Sequence, residues 1–369
     1  MPAYLVTLAA QPDRIVLFVT DRAEATKERV FQTIKEMVPA VDLQAVKVPP
    51  FAMSALVEIV GHAWAERVSS RDDVVADVTG GTKPMSLALA TVAFAHDQPV
   101  WYVAMQEDRI LVMDRAGKSR ALALPKISSV AEYLHLHGLR HHRKKGRRRE
   151  PTAEEIRVAR LLLDDARGPK FLEALRKNQA SQRKEGSRWI LAVSGRETRN
   201  LFAAYLLRSE LKNVLQRTDG GYAISGTWKN YLAGPWLEDY IAHELKRSKR
   251  FTDVEKSVTV EKTASGPEHA PLENEFDVLA MAESRLLLVS CKTGKMKTAD
   301  INQHLNEVRA RAEELGLFVR PALVCYQFGA LSETVRRRAK SMGILLLSRR
   351  QLRNLGPVLY DWTTGSQSV

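Results

Sequence analysis

The sequence VVADVTGGTKPM, residues 74–85, runs from an apolar strand through two glycines into a helix. Glycines let the backbone turn sharply and let a ligand approach it closely, and a helix start offers unpaired N–H groups and a partial positive charge. Lys83 adds a full positive charge there. The pattern is neither a Walker loop nor a Gly-x-Gly-x-x-Gly fingerprint, so it indicates neither ATP hydrolysis nor hydride transfer. A tight turn capped by Thr82 is the alternative interpretation.

Short β-branched runs alternate with amphipathic stretches from Ile15 to about residue 137, which predicts βαβ units around a parallel sheet. The predicted strands are Ile15–Thr20, Leu43–Val48, Val74–Thr79, Val100–Met105 and Ile110–Met113. The predicted helices are Pro2–Ala10, Ala23–Met37, Met53–Arg67, Pro84–Ala95 and Val130–His137. Residues 4–10 also fit a strand, but Pro2 and the helical spacing of the apolar residues favour a helix.

The segment DVTGGTKPM, residues 77–85, with LFVTD upstream at residues 17–21, resembles the CARF domain, a CRISPR-associated Rossmann fold that binds cyclic oligoadenylates. The resemblance covers roughly residues 1–137 and implies a homodimer with cyclic tetra-adenylate across its two-fold interface. The ligand contacts it implies by position are Thr20, Gly80, Gly81, Thr82 and Lys83. A helix at Pro2–Ala10 departs from the family, which has a first strand and a ligand-contacting loop there. We therefore expect half of the usual pocket to be absent.

Polar residues also cluster at the ends of a predicted hairpin formed by NEFDVLAM, residues 274–281, and LLLVSCKTG, residues 286–294. Side chains alternate along a strand, so Glu275 and Asp277 share one face. By the same rule Ser290 and Lys292 share a face, and the cysteine between them points away. The sequence therefore predicts a polar cluster at this end of the hairpin.

The residue types in this cluster suit phosphodiester hydrolysis. Asp277 supplies a hard oxygen ligand for Mg²⁺ or Mn²⁺, and such an ion activates water and stabilises charge on a phosphate under in-line attack. Lys292 could hold the attacking water or neutralise transition-state charge. Glu238 lies at the edge of a predicted helix from Pro235 to about Lys246, from which it could reach the end of the sheet.

Three segments, WLE at 236–238, NEFD at 274–277 and CKTG at 291–294, resemble the PD-(D/E)xK nuclease domain joined to CARF domains in cyclic-oligoadenylate-activated nucleases. The resemblance covers about residues 226–350 and implies a restriction-endonuclease-like α/β domain. The catalytic residues it implies are Glu238, Glu275, Asp277 and Lys292, and the implied metal site is Asp277, Glu238 and Cys291. Gln303 and His304 on the following helix are further candidates.

Ser290 departs from this family, which has an acidic residue two positions before the lysine. A hydroxyl is a weaker, neutral metal ligand than a carboxylate. We therefore expect reduced metal affinity unless Glu238 or Glu275 compensates.

The division into parts follows from these segments: a CARF-like sensor at 1–138, a basic linker and mainly helical connector at 139–225, and a nuclease domain at 226–369. The net charge of +13 and the pI near 9.7 favour a polyanionic partner such as DNA or RNA. The stretch HHRKKGRRR, residues 141–149, either contacts nucleic acid or is a solvated linker.

The sequence also bears on the location of the protein and on the state of its two cysteines. No apolar run is long enough to span a bilayer and the start does not look like a secretion signal, so we expect a cytoplasmic protein. Cys291 and Cys325 lie in apolar runs without zinc spacing, which predicts reduced packing residues.

Three functions remain open at this stage. The leading hypothesis is an endonuclease for DNA or RNA, activated by cyclic tetra-adenylate. The second is a catalytically impaired regulator that binds nucleic acid, because Ser290 replaces the usual acidic ligand. The third, degradation of the second messenger by the N-terminal domain, lacks an added acid or base near the glycines.

Overall fold

The computed structural model describes residues 2–68, 73–141, 149–177, 182–185, 188–219, 221–262, 272–316, 318–327 and 332–365. The chain divides into two compact units, the first formed mainly by Met1–Lys126 and the second mainly by Arg140–Lys262 and Pro271–Val369. Most of the basic stretch, residues 142–148, lies outside the described residues. No helix in the described ranges is long and apolar enough to cross a membrane.

The first unit alternates helices and strands, as predicted. Its helices are α1 Pro2–Ala10, α2 Glu24–Met37, α3 Met53–Arg67 and α4 Lys83–Ala95. Its strands are β1 Arg14–Val19, β2 Asp42–Lys47, β3 Ala76–Asp77, β4 Val100–Ala104, β5 Arg109–Met113 and β6 Ser119–Ala123. The predicted helix at the start of the chain is confirmed, because α1 has the bounds that the apolar spacing indicates.

The strands of the first unit form two hydrogen-bonded groups. Strands β1 and β2 are parallel, and so are β3 and β4, which confirms the parallel pairing expected of βαβ units. Strands β4, β5 and β6 then continue as an antiparallel meander, of which the sequence predicted only the first two strands. Apolar side chains of α3 and α4, including Trp64 and Val92, pack against the β3–β4 pair.

Two elements follow along the chain, α5 Val130–Leu136 and β7 Leu139–His141. The remaining helices are α6 Ala153–Asp164, α7 Gly168–Lys177, α8 Arg196–Leu206, α9 Gly226–Ala233, α10 Pro235–Ser248, α11 Thr298–Leu315, α12 Glu333–Ser341 and α13 Leu355–Thr364. The remaining strands are β8 Gln182–Glu185, β9 Arg188–Leu191, β10 Leu215–Thr218, β11 Gly221–Ser225, β12 Asp253–Lys262, β13 Leu272–Ala282, β14 Arg285–Lys295, β15 Val319–Gln327 and β16 Leu345–Ser348.

A six-stranded mixed sheet organises the second unit, in the order β16-β15-β14-β13-β12-β7. Strands β12, β13 and β14 are antiparallel neighbours, whereas β14, β15 and β16 run parallel. Helix α10 and the strand residues Val278 and Val289 share one large core, and α11 packs on the other face around Leu323 and Cys325. Burial on both faces explains the continuous apolar run of β14.

The segment predicted as a mainly helical connector, residues 139–225, also contains a second sheet, which has four antiparallel strands in the order β10-β11-β9-β8. Its strands have four or five residues each, which is too short for the period of two to stand out in the sequence. Leu191, Leu215 and Ile224 of this sheet join the large core of the second unit.

Candidate functional site

The Gly80–Lys83 turn lies at the carboxyl end of β3 and leads into α4. Gly81 has a φ of +81°, a conformation that a side chain would strain, and a Cβ at Gly80 would meet open space. Thr82 caps α4, because its Oγ1 accepts a hydrogen bond from Met85 N at 3.4 Å. Lys83 is exposed at this helix start. The turn thus exposes backbone and a positive charge together, a suitable arrangement for a phosphate-bearing ligand.

A partly buried carboxylate holds the turn in place. Asp77 Oδ1 accepts hydrogen bonds from Thr79 N at 2.9 Å and Thr79 Oγ1 at 2.6 Å, and Thr79 Oγ1 accepts one from Val103 N at 2.8 Å. Burial raises the pKa of Asp77, and the Thr79 hydrogen bonds oppose that shift. Because Val103 N donates to the Thr79 hydroxyl and not to a backbone carbonyl, β3 ends earlier than predicted.

Two further loops matter here, of which the one after β2 contacts the turn. The Thr82 hydroxyl donates to the carbonyl of Pro50 at 2.6 Å, which links the turn to the loop after β2. Thr20 follows β1 and begins a 3-10 turn, Asp21–Ala23. Phe51, next to Pro50, is 71% exposed. The five ligand-contact positions predicted from the sequence therefore lie on loops that follow strands β1 and β3.

The second candidate site lies where β13 and β14 separate. Their ladder ends at the pair Val278–Val289, so Asp277 and Ser290 lie immediately beyond it. Asp277 Oδ2 accepts a hydrogen bond from Cys291 N at 2.6 Å and one from Ser290 Oγ at 3.3 Å. Asp277 and Ser290 thus lie together at the end of the hairpin where the polar cluster is predicted.

Glu238 approaches the same level of the sheet from α10. Its Oε2 accepts a hydrogen bond from Ser257 Oγ at 3.4 Å. Ser257 lies in β12 between the ladder pairs Lys256–Val278 and Val258–Phe276, which places it level with Asp277. Its φ of +49° interrupts the ladder at that residue. Nothing in the sequence pattern indicates this interruption.

Lys292 shares the face of Ser290, two residues before it, and lies opposite Cys325 of β15. A hydrogen bond from His304 holds the pKa of Glu307 below its usual range, with further contributions from Gln303 and from the charge of Lys292. The bond lengths are 2.8 Å from His304 Nδ1 and 2.9 Å from Gln303 Nε2. Glu307 is thus the acceptor that His304 and Gln303 share, a contact that sequence reasoning missed although the spacing of three and four residues is a usable signal.

Two models of known domains match the chain at these sites. The Card1 CARF domain matches residues 5–133, and the Card1-like endonuclease domain matches residues 227–366. The chain joins a CARF domain to a Card1-like endonuclease domain. This confirms the family and the fold class predicted from the two short motifs. No curated protein matches the chain.

Solved structures share the fold of the whole chain. Can2 from Sulfobacillus thermosulfidooxidans in complex with cyclic tetra-adenylate has a TM-score of 0.74 at 19% identity, covering 98% of this chain and 96% of that one. Protein VC1899 from Vibrio cholerae has a TM-score of 0.79 at 18% identity, covering 99% and 96%. A type III CRISPR defence DNA nuclease activated by cyclic oligoadenylate has a TM-score of 0.52 at 16% identity, covering 89% of this chain and 44% of that one.

Not every predicted residue of the endonuclease domain joins the Asp277 cluster. Cys291 contacts Asp277 through its backbone N–H, while its side chain packs against the large core. Glu275 is exposed, and its carbonyl accepts a hydrogen bond from Arg311 at 3.1 Å. Neither cysteine forms a disulfide, and burial raises the pKa of Cys325 to about 12. Within the described residues, no three His, Cys, Asp or Glu side chains come close enough to hold a metal ion.

The donors at Asp277 nevertheless fit a Mg²⁺ or Mn²⁺ ion. Both hydrogen bonds to this carboxylate fall on Oδ2, so Oδ1 accepts none from the residues that the structure describes. Magnesium is commonly held by one or two carboxylates, with water and substrate phosphate completing its shell. Asp277 supplies one carboxylate for such an ion, and the hydroxyl of Ser290 supplies a further oxygen.

Proposed function

We propose that the protein is a metal-dependent CRISPR accessory nuclease, in which cyclic tetra-adenylate bound by a CARF dimer activates cutting of DNA or RNA. One observation carries the proposal. In an endonuclease domain joined to a CARF domain, Asp277 lies beside Ser290 where two strands separate, with Lys292 on the same face.

The CARF domain supports the ligand part of the proposal. Thr20, Gly80, Gly81, Thr82 and Lys83 would contact the ligand, whose phosphates suit the helix start and the lysine. Phe51 and Leu87 are 71% and 59% exposed near this turn. Such apolar side chains suit contact with a second copy. A ligand with its own two-fold symmetry matches that dimer.

The endonuclease domain supports the chemical part. When bound, a divalent ion would supply a nucleophilic water and stabilise charge on the phosphate. Asp277 would hold that ion, with Ser290 and Glu238 as further oxygen donors. Lys292 would orient the water or offset the developing charge. Glu275 and Cys291 remain weaker candidates, because neither side chain contacts Asp277.

Gating requires that the ligand bind one dimer arrangement better than another, since a ligand without such preference shifts no equilibrium. The net charge of +13 supports attraction of a nucleic-acid substrate.

The test is cleavage of supercoiled plasmid and single-stranded RNA with Mn²⁺, with and without cyclic tetra-adenylate. We expect ligand-dependent cutting that Asp277→Asn and Lys292→Ala reduce by about 10²-fold or more. Lys295→Ala is the matched control, because Lys295 lies on the same strand and its side chain is 76% exposed. Equal cutting with and without ligand would refute gating.

A second candidate is a regulator that binds nucleic acid without cutting it. The neutral Ser290 beside Asp277 favours it, because the family has an acidic residue at the Ser290 position. Wild-type protein that binds oligonucleotide but cuts none under any metal condition would support this candidate.

A further inference from the structure

A β-bulge lies directly after Lys292. Strands β14 and β15 pair Lys292 with Cys325 and then Lys295 with Gln327, so two residues of β14 oppose one residue of β15. A bulge re-aims nearby side chains and interrupts ladder hydrogen bonds, so its conformation must be held by other contacts. The direction of Lys292 therefore depends on what holds Thr293.

Arg176 of α7 holds Thr293. Its guanidinium donates to the Thr293 carbonyl at 3.0 Å through one terminal nitrogen and to Thr293 Oγ1 at 2.7 Å through the other. One planar side chain thus binds both the carbonyl and the hydroxyl of Thr293, the first residue of the bulge. Arg176 lies outside both domain matches, at residues 5–133 and 227–366.

The same guanidinium also reaches the chain that precedes Glu238. Arg176 donates to the carbonyl of Ala233 at 3.2 Å, and Thr293 Oγ1 lies 3.4 Å from that oxygen. Ala233 is the last residue of α9, and α10, which carries Glu238, begins two residues later at Pro235. Arg176 therefore connects the strand end that carries Lys292 to the helix start that carries Glu238.

The acceptors around Arg176 are uncharged. No carboxylate in the described part of the chain forms an ion pair with it, and burial lowers its pKa from the usual arginine value. A planar fork with several donors suits three acceptors on two elements, whereas a lysine ammonium acts as a point charge. The geometry therefore uses the shape of arginine as well as its charge.

We propose that Arg176 is a positioning residue, which sets the placement of Lys292 relative to Glu238 by clamping Thr293 and Ala233 together. This inference rests on the proposed nuclease function. It assigns a role in the site to the segment between the two matched domains.

Arg176→Lys tests the inference, because it keeps the charge and removes the fork. We expect kcat for a short oligonucleotide to fall by roughly 30- to 100-fold, since misplacement by about 1 Å can cost that much, while KM changes by less than about threefold. Thr293→Val should produce part of this loss, and the double variant should lose less than the product of the single effects. Arg160→Lys is the matched control, because Arg160 pairs with Glu244 at 2.9 Å on another helix.

Amide hydrogen exchange at residues 292–295 tests the clamp without relying on cutting. Faster exchange in Arg176→Lys than in Arg160→Lys supports the clamp even if the wild type cuts nothing. Absence of cutting by the wild type would refute only the proposed function. Unchanged exchange would overturn the inference. Full activity of Arg176→Lys together with a raised KM in Arg176→Ala would also overturn the inference. That combination indicates that Arg176 simply contacts a phosphate of the substrate.

Discussion

Replacing Ser290 with aspartate restores the second acid of the family pattern and places two carboxylates side by side. The Ser290 hydroxyl lies 3.3 Å from Asp277 Oδ2, so the new charge would lie close to the existing one. Two like charges about 4 Å apart repel by roughly 4 kcal/mol at an effective dielectric constant of 20 and roughly 1 kcal/mol in water. Asp277 is half-buried, so without metal we expect a loss of about 1–2 kcal/mol relative to Ser290→Asn, which has the same size without the charge.

Thermal unfolding measures this effect with and without metal. In EDTA, Ser290→Asp should unfold about 2–8 °C below Ser290→Asn, at about 2–4 °C per kcal/mol for a unit of this size. In Mn²⁺ the order should reverse, since an ion bound only by the folded state adds about 2.7 kcal/mol at a hundred times its Kd. Equal Mn²⁺ shifts in the two variants would refute the metal site at Asp277. Equal midpoints in EDTA would refute the assumed closeness of the two carboxylates.

Two further predictions concern buried charge. Asp77→Asn keeps an oxygen that accepts the hydrogen bond from Thr79 but carries no charge. Burial raises the pKa of Asp77 in the folded protein above its value of about 4 in the unfolded chain. The free energy of unfolding of the wild type therefore falls as the pH rises above about 4. Denaturant unfolding should therefore give the variant a higher free energy of unfolding than the wild type at pH 7 and the same value near pH 4. An equal difference between the two proteins at both pH values would contradict the reasoning. Lys256→Met removes the lysine that pairs at 2.5 Å with the buried Asp239, which should cost about 3–5 kcal/mol in urea unfolding. Adding Asp239→Leu should recover most of that loss, and a loss below about 1 kcal/mol for Lys256→Met alone would contradict the prediction.

Local signals located most of the helices and strands. Helix α3 has the predicted bounds Met53–Arg67, because its apolar spacing is regular along its length. Helix α12 follows Ser332, a residue type favoured as an N-cap, whose Oγ accepts a hydrogen bond from Val335 N. Strand β3 ends earlier than predicted, because Val103 N of β4 donates to the side chain of Thr79 and not to a backbone carbonyl. Such side-chain competition with the ladder depends on burial, which a sequence pattern does not report.

For the candidate nuclease site, strand alternation alone predicts that Asp277, Ser290 and Lys292 share a region at the end of a hairpin. That inference needs only the period of two and the order of residues along the chain. The influence of Lys292 on the pKa of Glu307 depends on a helix packed beside the strand, and the position of Ser257 depends on a left-handed backbone conformation in β12. Arg176 lies more than a hundred residues before Thr293, and only the folded chain brings them within 3 Å. Residue types and local spacing therefore determine which groups are available for chemistry, whereas the contacts that hold those groups in position form between distant segments and arise only from tertiary packing.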